Sequence, residues 1–274
     1  MGSFQISPFL KIKGIGSASG LVYHENQLFI ISDNSTYLYQ YTISEGKLNK
    51  IPLVKNPQEN ILKKDKPDFE SITLKGNKLH LFGSASTNKR TKTLSYHLHS
   101  GKINVKDLTD LYDKIKEKLS IADDELNIEG VVNYKEKLFL FQRGNGATAK
   151  NGIIKIDDKL NIEFVPFALP KLKTVESSFT DAILVDNKIY FLATAENSTS
   201  TYDDGDVLGS SIGSIDMQTM AIEFTLKISD SQKFEGLTLY NKTPGQIEFL
   251  LCEDKDSEVL ESIIYSLKLG LKNN

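Results

Sequence analysis

Five segments of this chain repeat one pattern, and that repeat restricts the fold more than any other property of the sequence. Each copy runs apolar residue, oxygen-bearing side chain, small residue or Asp, apolar residue, short turn, apolar strand. The copies are ASGLVYHENQLFII from Ala18, FESITLKGNKLHLF from Phe69, IEGVVNYKEKLFLF from Ile128, FTDAILVDNKIYFL from Phe179 and FEGLTLYNKTPGQIEFLL from Phe234. Nine residues beyond Ser19, Glu70, Glu129 and Thr180 the chain always carries Leu or Ile, at Leu28, Leu79, Leu138 and Ile189. The fifth copy inserts Thr243-Pro244-Gly245 and reaches Ile247 twelve residues past Glu235. The steps between the five oxygen residues are 51, 59, 51 and 55. Self-similarity at such a period marks a solenoid, a propeller or an array.

Each copy reads as a β-hairpin. Its second strand is rich in Leu, Ile, Phe and Tyr, as half-buried strands are. The reversals fall at Glu25-Asn26, Gly76-Asn77, Lys135-Glu136 and Asp186-Asn187, where polar or glycine residues suit tight turns. Further strands follow every hairpin, for example TYLYQYTI then KLNKIPLV, and GIIKID then NIEFVPFAL. About four strands per unit is a propeller blade. The expected fold is therefore all-β, a five-bladed β-propeller forming a single domain over residues 1–274. Only 39 residues follow Glu235, enough for three strands. The segment FQISPFLKI near the N-terminus supplies the missing one, so the N-terminal strand closes the ring and removes an exposed edge. The long second step contains DLTDLYDKIKEKLSIADDEL (107–126), with Leu108, Leu111, Tyr112, Ile115 and Leu119 at helical spacing and Asp107 or Thr109 as cap. It predicts one helical insertion near 107–120 that packs on the propeller.

The first strand of each blade lines the central channel, so Ser19, Glu70, Glu129, Thr180 and Glu235 are expected to form a ring of oxygens around the axis. Three carboxylates on one axis repel; a like-charge pair about 4 Å apart costs on the order of 4 kcal/mol at an effective dielectric near 20. A bound cation, a basic partner or protonation relieves this. Oxygen-only ligands suit a hard cation, and calcium takes six to eight of them. The same residues have a second reading, in which they accept or donate hydrogen bonds to the neighbouring blade and simply close the ring. The loops expected at the same mouth carry Asp33-Asn34, Lys89-Arg90, Arg143-Gly144-Asn145, Glu196-Asn197 and Glu253-Asp254.

On these residues the chain resembles the calcium-activated nucleotidases of the apyrase type. That family consists of five-bladed propellers with a channel calcium held by a Ser, Glu, Glu, Ser, Glu series. SGLVYHENQLFIISD resembles its first blade and KFEGLTL its last, while Thr180 in FTDA stands where the family has Ser. The resemblance implies Ca2+ as cofactor, with Ser19, Glu70, Glu129, Thr180 and Glu235 as metal ligands. It also implies a calcium-dependent hydrolase of phosphoanhydrides or phosphoesters acting on a small, phosphorylated ligand. Arg143, Lys89 and Arg90 would neutralise phosphate, Asn34 and Asn145 would add substrate contacts, and Asp33 or Glu196 would serve as general base. Two departures bear on the activity. Ser32-Asp33-Asn34 replaces the family's paired aspartate, and the chain has no tryptophan. The FEG-type inner strands are also similar to phytase-like and SdiA-regulated propellers. The alternatives are a non-catalytic propeller with a structural calcium that binds a glycan, peptide or protein, and a propeller lactonase.

Composition restricts the remaining classes. A net charge of -3, with basic residues scattered, gives no electrostatic reason to expect nucleic acid or an anionic membrane as partner. The single cysteine, Cys252, forms no internal disulfide and reads as a small buried residue near a strand end. The cluster Asp203, Asp204 and Asp206 around Gly205 lacks the ligand spacing of an EF-hand and reads as a solvated loop. His24, His80, His97 and His99 have no acid or nucleophile partner readable from spacing. The N-terminal segment has no apolar core of a signal peptide, which reads as cytoplasmic. The sequence leaves oligomeric state open.

Overall fold

A computed structural model describes residues 4–198, 200, 205–255 and 259–271; the expected acidic loop at Asp203 and Asp204 lies outside them. After β1 (Phe4–Lys13), blade one comprises β2 (Ala18–His24), β3 (Gln27–Ser32), β4 (Tyr37–Thr42) and β5 (Lys47–Pro52). Blade two comprises β6 (Phe69–Lys75), β7 (Lys78–Gly83), β8 (Lys92–His97) and β9 (Ile103–Asp107), and is followed by α1 (Thr109–Leu119). Blade three comprises β10 (Ile128–Tyr134), β11 (Lys137–Gln142), β12 (Gly152–Ile156) and β13 (Ile162–Pro166), and a short ribbon of β14 (Lys171–Leu172) and β15 (Val175–Glu176) leads on. Blade four comprises β16 (Ser178–Val185), β17 (Lys188–Asn197), β18 (Asp206–Asp216) and β19 (Ile222–Ser229). Blade five comprises β20 (Lys233–Thr243), β21 (Gln246–Asp254) and β22 (Glu261–Gly270), completed by β1 in the order β1-β22-β21-β20. Every blade is a four-stranded antiparallel meander. The ring closes as expected, with β1 on β22 from Phe4 opposite Leu269 to Lys13 opposite Glu261.

Five apolar clusters hold the ring, one at each junction between blades. At the first junction Phe29, Ile31 and Leu38 meet Phe69, Leu79 and Leu81. Between blades five and one, Leu250, Cys252 and Ile264 meet Ala18, Leu21 and Leu28. Phe179 sits between blades three and four, with edge-on rings of Phe141 and Phe191 each 5.1 Å away. The helical insertion is present. Its Tyr112 and Ile115 are buried with Phe82, Leu126 and Leu140 between blades two and three. The cap differs in detail: Leu108 occupies the cap position, and Asp107 just outside accepts the Thr109 amide at 2.9 Å.

The four expected tight reversals fall where the sequence places them. The three extra residues of the fifth copy do something else. They lengthen the hairpin, so that Lys242 pairs with Ile247 and the reversal moves to Pro244-Gly245.

One irregularity recurs five times. In every inner hairpin the register slips by one residue, between Ala18 and Gly20, Phe69 and Ser71, Ile128 and Gly130, Phe179 and Asp181, and Phe234 and Gly236. The skipped residues are Ser19, Glu70, Glu129, Thr180 and Glu235. A bulge leaves one residue unpaired and re-aims its side chain, so the repeated oxygen is also the repeated defect. Three of the residues that follow are glycines because neighbouring inner strands nearly touch. A Cβ on Gly130 would stand 2.9 Å from the Ala182 amide nitrogen, and one on Gly236 2.9 Å from the Gly20 Cα.

Candidate functional site

The bulges place the five ring residues at the start of the inner strands, and all five are buried. Two residues earlier each copy carries a second polar side chain: Ser17, Asp68, Asn127, Ser178 and Lys233, also all buried. The apolar residue between each pair points into a blade junction instead. Alternation along a strand thus builds two stacked polar layers at one mouth of the channel.

The hydroxyl members of the ring tie blades together. Ser19 donates to the Phe69 carbonyl at 2.5 Å, and Thr180 donates to the Phe234 carbonyl at 2.7 Å. Asp181, next to Thr180, accepts the amides of Ala182 and Leu237, both at 2.7 Å. The hydrogen-bonded reading of the ring therefore describes these two hydroxyls. Each retains lone pairs.

The acids fall into two clusters joined across the axis. In the first, Asp33, Asp68 and Glu70 bring carboxylate oxygens within 4.8 Å of one another. Lys66 bonds Asp33 and reaches Asp68 at 2.8 Å, while Arg90 contacts Asp68 at 2.8 Å and the Lys63 carbonyl at 2.8 Å. In the second, Arg143 bonds Glu196, lies 3.2 Å from Glu129 and 4.0 Å from Glu235. Lys233 reaches Glu235 at 2.9 Å and Asp254 at 3.7 Å. Asn127 adds a hydrogen bond to Glu129 at 2.8 Å. Among the described residues seven carboxylates therefore share the mouth with four cations. Glu70 stands apart: its carboxylate has neither a hydrogen bond nor an ion pair among the described residues.

Burial and mutual repulsion decide the ionisation. Burial pushes the Glu70 carboxyl well above its ordinary value, and Asp68, Glu129 and Glu235 push it further. Glu235 is raised well above its ordinary value by burial, with Asp254 and Glu129 adding to what Lys233 and Arg143 oppose. Burial also raises Asp181 well above the usual carboxylate range, against its two amide hydrogen bonds. Asp68 goes the other way. Burial would raise it, but Lys66 and Arg90 outweigh that and lower it. Burial would likewise lower Lys66, Arg143 and Lys233, yet their carboxylate partners hold all three above their ordinary values.

Most residues singled out from the sequence meet at this mouth. Asp33 and Glu196 are buried in ion pairs with Lys66 and Arg143. Asn34 bonds locally, accepting from Ser32 at 3.0 Å. Asn145 accepts from Asn127 at 3.3 Å, beside Glu129. Arg90 and Arg143 are buried among acids. Lys89 lies outside the mouth, exposed and paired with Asp65 at 3.1 Å. Sequence reasoning missed Lys66, Asp68, Asn127, Asp181 and Lys233. For three of these a signal was present: the triplets SAS, DFE, NIE, SFT and KFE show that the residue two before the ring position is always polar. Lys66 had none, because it reaches the mouth from the segment that joins blades one and two. Cys252 is buried 3.4 Å from the Ala18 carbonyl, and burial pushes its thiol well up, consistent with a packing role.

Fold and site together define a five-bladed propeller with a buried, strongly ionic channel mouth. A family model matches residues 14–269, and the chain belongs to that family, described as a family of unknown function (DUF6929). No curated protein matches the chain. Among solved structures it is similar to the glutaminyl cyclase of Myxococcus xanthus, at 10% identity over 97% of each chain with a TM-score of 0.55. It is also similar to the major Malassezia sympodialis allergen Mala s 1, at 9% identity over 94% of this chain and 95% of that one, with a TM-score of 0.57. At such identities the likeness concerns fold alone. The propeller half of the resemblance drawn from the sequence is supported; these neighbours do not single out the apyrase type. Among the described residues no helix is long and apolar enough to cross a membrane.

Proposed function

We propose that this propeller binds a hard divalent cation, calcium, at the axial ring. The observation that carries the reading is Glu70: a carboxylate more than nine-tenths buried, with no hydrogen bond or ion pair among the described residues, within 4.8 Å of Asp33 and Asp68, and opposed by Glu129 and Glu235 more than the charge of Lys66 relieves it. Among the described residues seven acids against four bases leave the mouth short of positive charge, and the donor set of the ring is oxygen only. Both features fit calcium. Ser19 and Thr180 complete the ring through the lone pairs their hydrogen bonds leave open.

The test is thermal unfolding in calcium and in chelator. Melting should rise with calcium, and Glu70→Gln should abolish the rise while leaving the protein folded. An unchanged melting temperature would sink the reading and leave a ring held by hydrogen bonds and its own cations.

The catalytic extension is hydrolysis of a phosphoanhydride or phosphoester. A bound calcium supplies Lewis-acid polarisation of a phosphoryl oxygen. Arg143 turns from Glu196 toward the phosphate, and the Glu196 carboxylate, which the Gly205 amide still holds at 2.7 Å, or Asp33, takes the proton of the attacking water as the P–O bond to the leaving oxygen breaks. Arg90, Asn34 and Asn145 border the same mouth. A panel of nucleotides, sugar phosphates and phytate, assayed with calcium and with chelator, tests it. Turnover of none of them would leave calcium as a structural pin beneath a surface for a glycan, peptide or protein.

A further inference from the structure

The channel has a second end, and its chemistry is the reverse of the first. Three residues along from each ring position stand Val22, Thr73, Val132, Ile183 and Thr238, and all five line a cavity of about 430 Å³. Pockets that hold small ligands fall in the range of roughly 300–1,000 Å³. The cavity opens toward the hairpin turns, where Lys75 and Lys135 stand exposed at its rim on adjacent blades. No aspartate or glutamate lines it. Neither lysine has an ion-pair partner among the described residues; Lys135 rests over the Tyr134 ring at 5.1 Å.

Each blade adds one β-branched side chain to the wall, so the wall is largely apolar. Two features are not. Thr238 accepts the Tyr23 amide at 2.9 Å, which uses one of its lone pairs within the protein. Thr73 and Asn133 offer hydrogen-bonding groups on the same side as the two lysines. The lysines are the one feature that exceeds what closing a propeller requires. Two like charges on neighbouring blades, over an apolar cup with no acid to balance them, favour an anionic group at the rim and hydrocarbon inside. The strand rise of about 3.3 Å per residue separates this rim from the acidic ring by roughly 17 Å, and the two lysines stand in solvent at the far end.

We propose that this end of the channel binds a small amphiphilic monocarboxylate, with its apolar body among Val22, Val132 and Ile183 and its carboxylate between Lys75 and Lys135. The site does not rest on the calcium reading, because it shares no residue with the ring. The probe is 4-phenylbutyrate, with 4-phenylbutanol as its uncharged counterpart, titrated calorimetrically in chelator and again in calcium. The carboxylate should bind one per chain, about tenfold more tightly than the alcohol, equally in both buffers. Lys75→Gln combined with Lys135→Gln should remove the tenfold preference and leave the alcohol unaffected. Val132→Phe, which fills the cup, should abolish binding of both, with melting used to confirm the fold. Absence of binding, equal affinity for acid and alcohol, or a preference that survives the double lysine variant would each overturn the proposal.

Discussion

Replacing Arg143 with leucine should destabilise this protein more than any other single change at the mouth. The guanidinium is held by Glu196, by Glu129 at 3.2 Å and by Glu235 at 4.0 Å. At an effective dielectric near 20 the last two contacts are worth about 5 and about 4 kcal/mol before desolvation is charged. Desolvation of the arginine returns much of that, but truncation does not restore water to the acids it leaves behind. Breaking a buried ion pair from one side therefore costs about 3–5 kcal/mol, a large share of the 5–15 kcal/mol typical of a folded domain. Urea unfolding in chelator at neutral pH measures it, with an unchanged dependence on urea confirming that the unfolded state is the same. Adding Glu196→Gln should recover part of the loss, because one stranded charge is then gone. The loss should also shrink as pH falls and the stranded acids take up protons. A loss below about 1 kcal/mol, or a double variant whose two effects merely add, would refute the view that Arg143 neutralises this cluster.

Three further outcomes follow from the geometry. Glu70 and Glu235 have folded pKa values raised above the unfolded glutamate value of about 4.3. The folded state thus holds more protons than the unfolded one in that window, and stability in chelator should decline as pH rises from about 4.3 through the raised values. Melting across pH should show a shallower decline in Glu70→Gln, and identical slopes would contradict it. Thr180→Val removes the donor to the buried Phe234 carbonyl and should cost about 1–3 kcal/mol in urea unfolding, while Thr180→Ser should cost far less. Ile115→Ala empties a fully buried site where α1 meets blades two and three and should cost about 2–5 kcal/mol; a loss near zero would mean the helix is an appendage rather than part of the core.

The sequence by itself determined the architecture. The nine-residue interval from ring oxygen to Leu or Ile sets the length of four hairpins, and these four with the twelve-residue fifth copy and a spare N-terminal strand count the blades. The helix was legible as well, since Tyr112 and Ile115 sit four and seven residues beyond Leu108 on one face. These features are local: periodicity and turn chemistry act within a few residues and so leave a mark in the order of the chain. The ring of oxygens was visible for the same reason, as a repeated position.

What that ring touches was decided only in three dimensions. Ser19 and Thr180 look like ligands of equal standing with the glutamates until folding brings the Phe69 and Phe234 carbonyls within reach. Arg143 looks free to hold phosphate until blades four and five deliver Glu196 and Glu235 to it. Lys66 shows no sign in the sequence of belonging to the site, yet it stands between Asp33 and Asp68. The Arg143–Glu196 pair joins blades across 53 residues of chain, and no local pattern encodes which partner arrives. The one long-range regularity that could have been read is the polar residue two before each ring position. It persists because strand alternation aims it, like the ring oxygen, at the channel, where an apolar side chain would face charged and hydrogen-bonding groups.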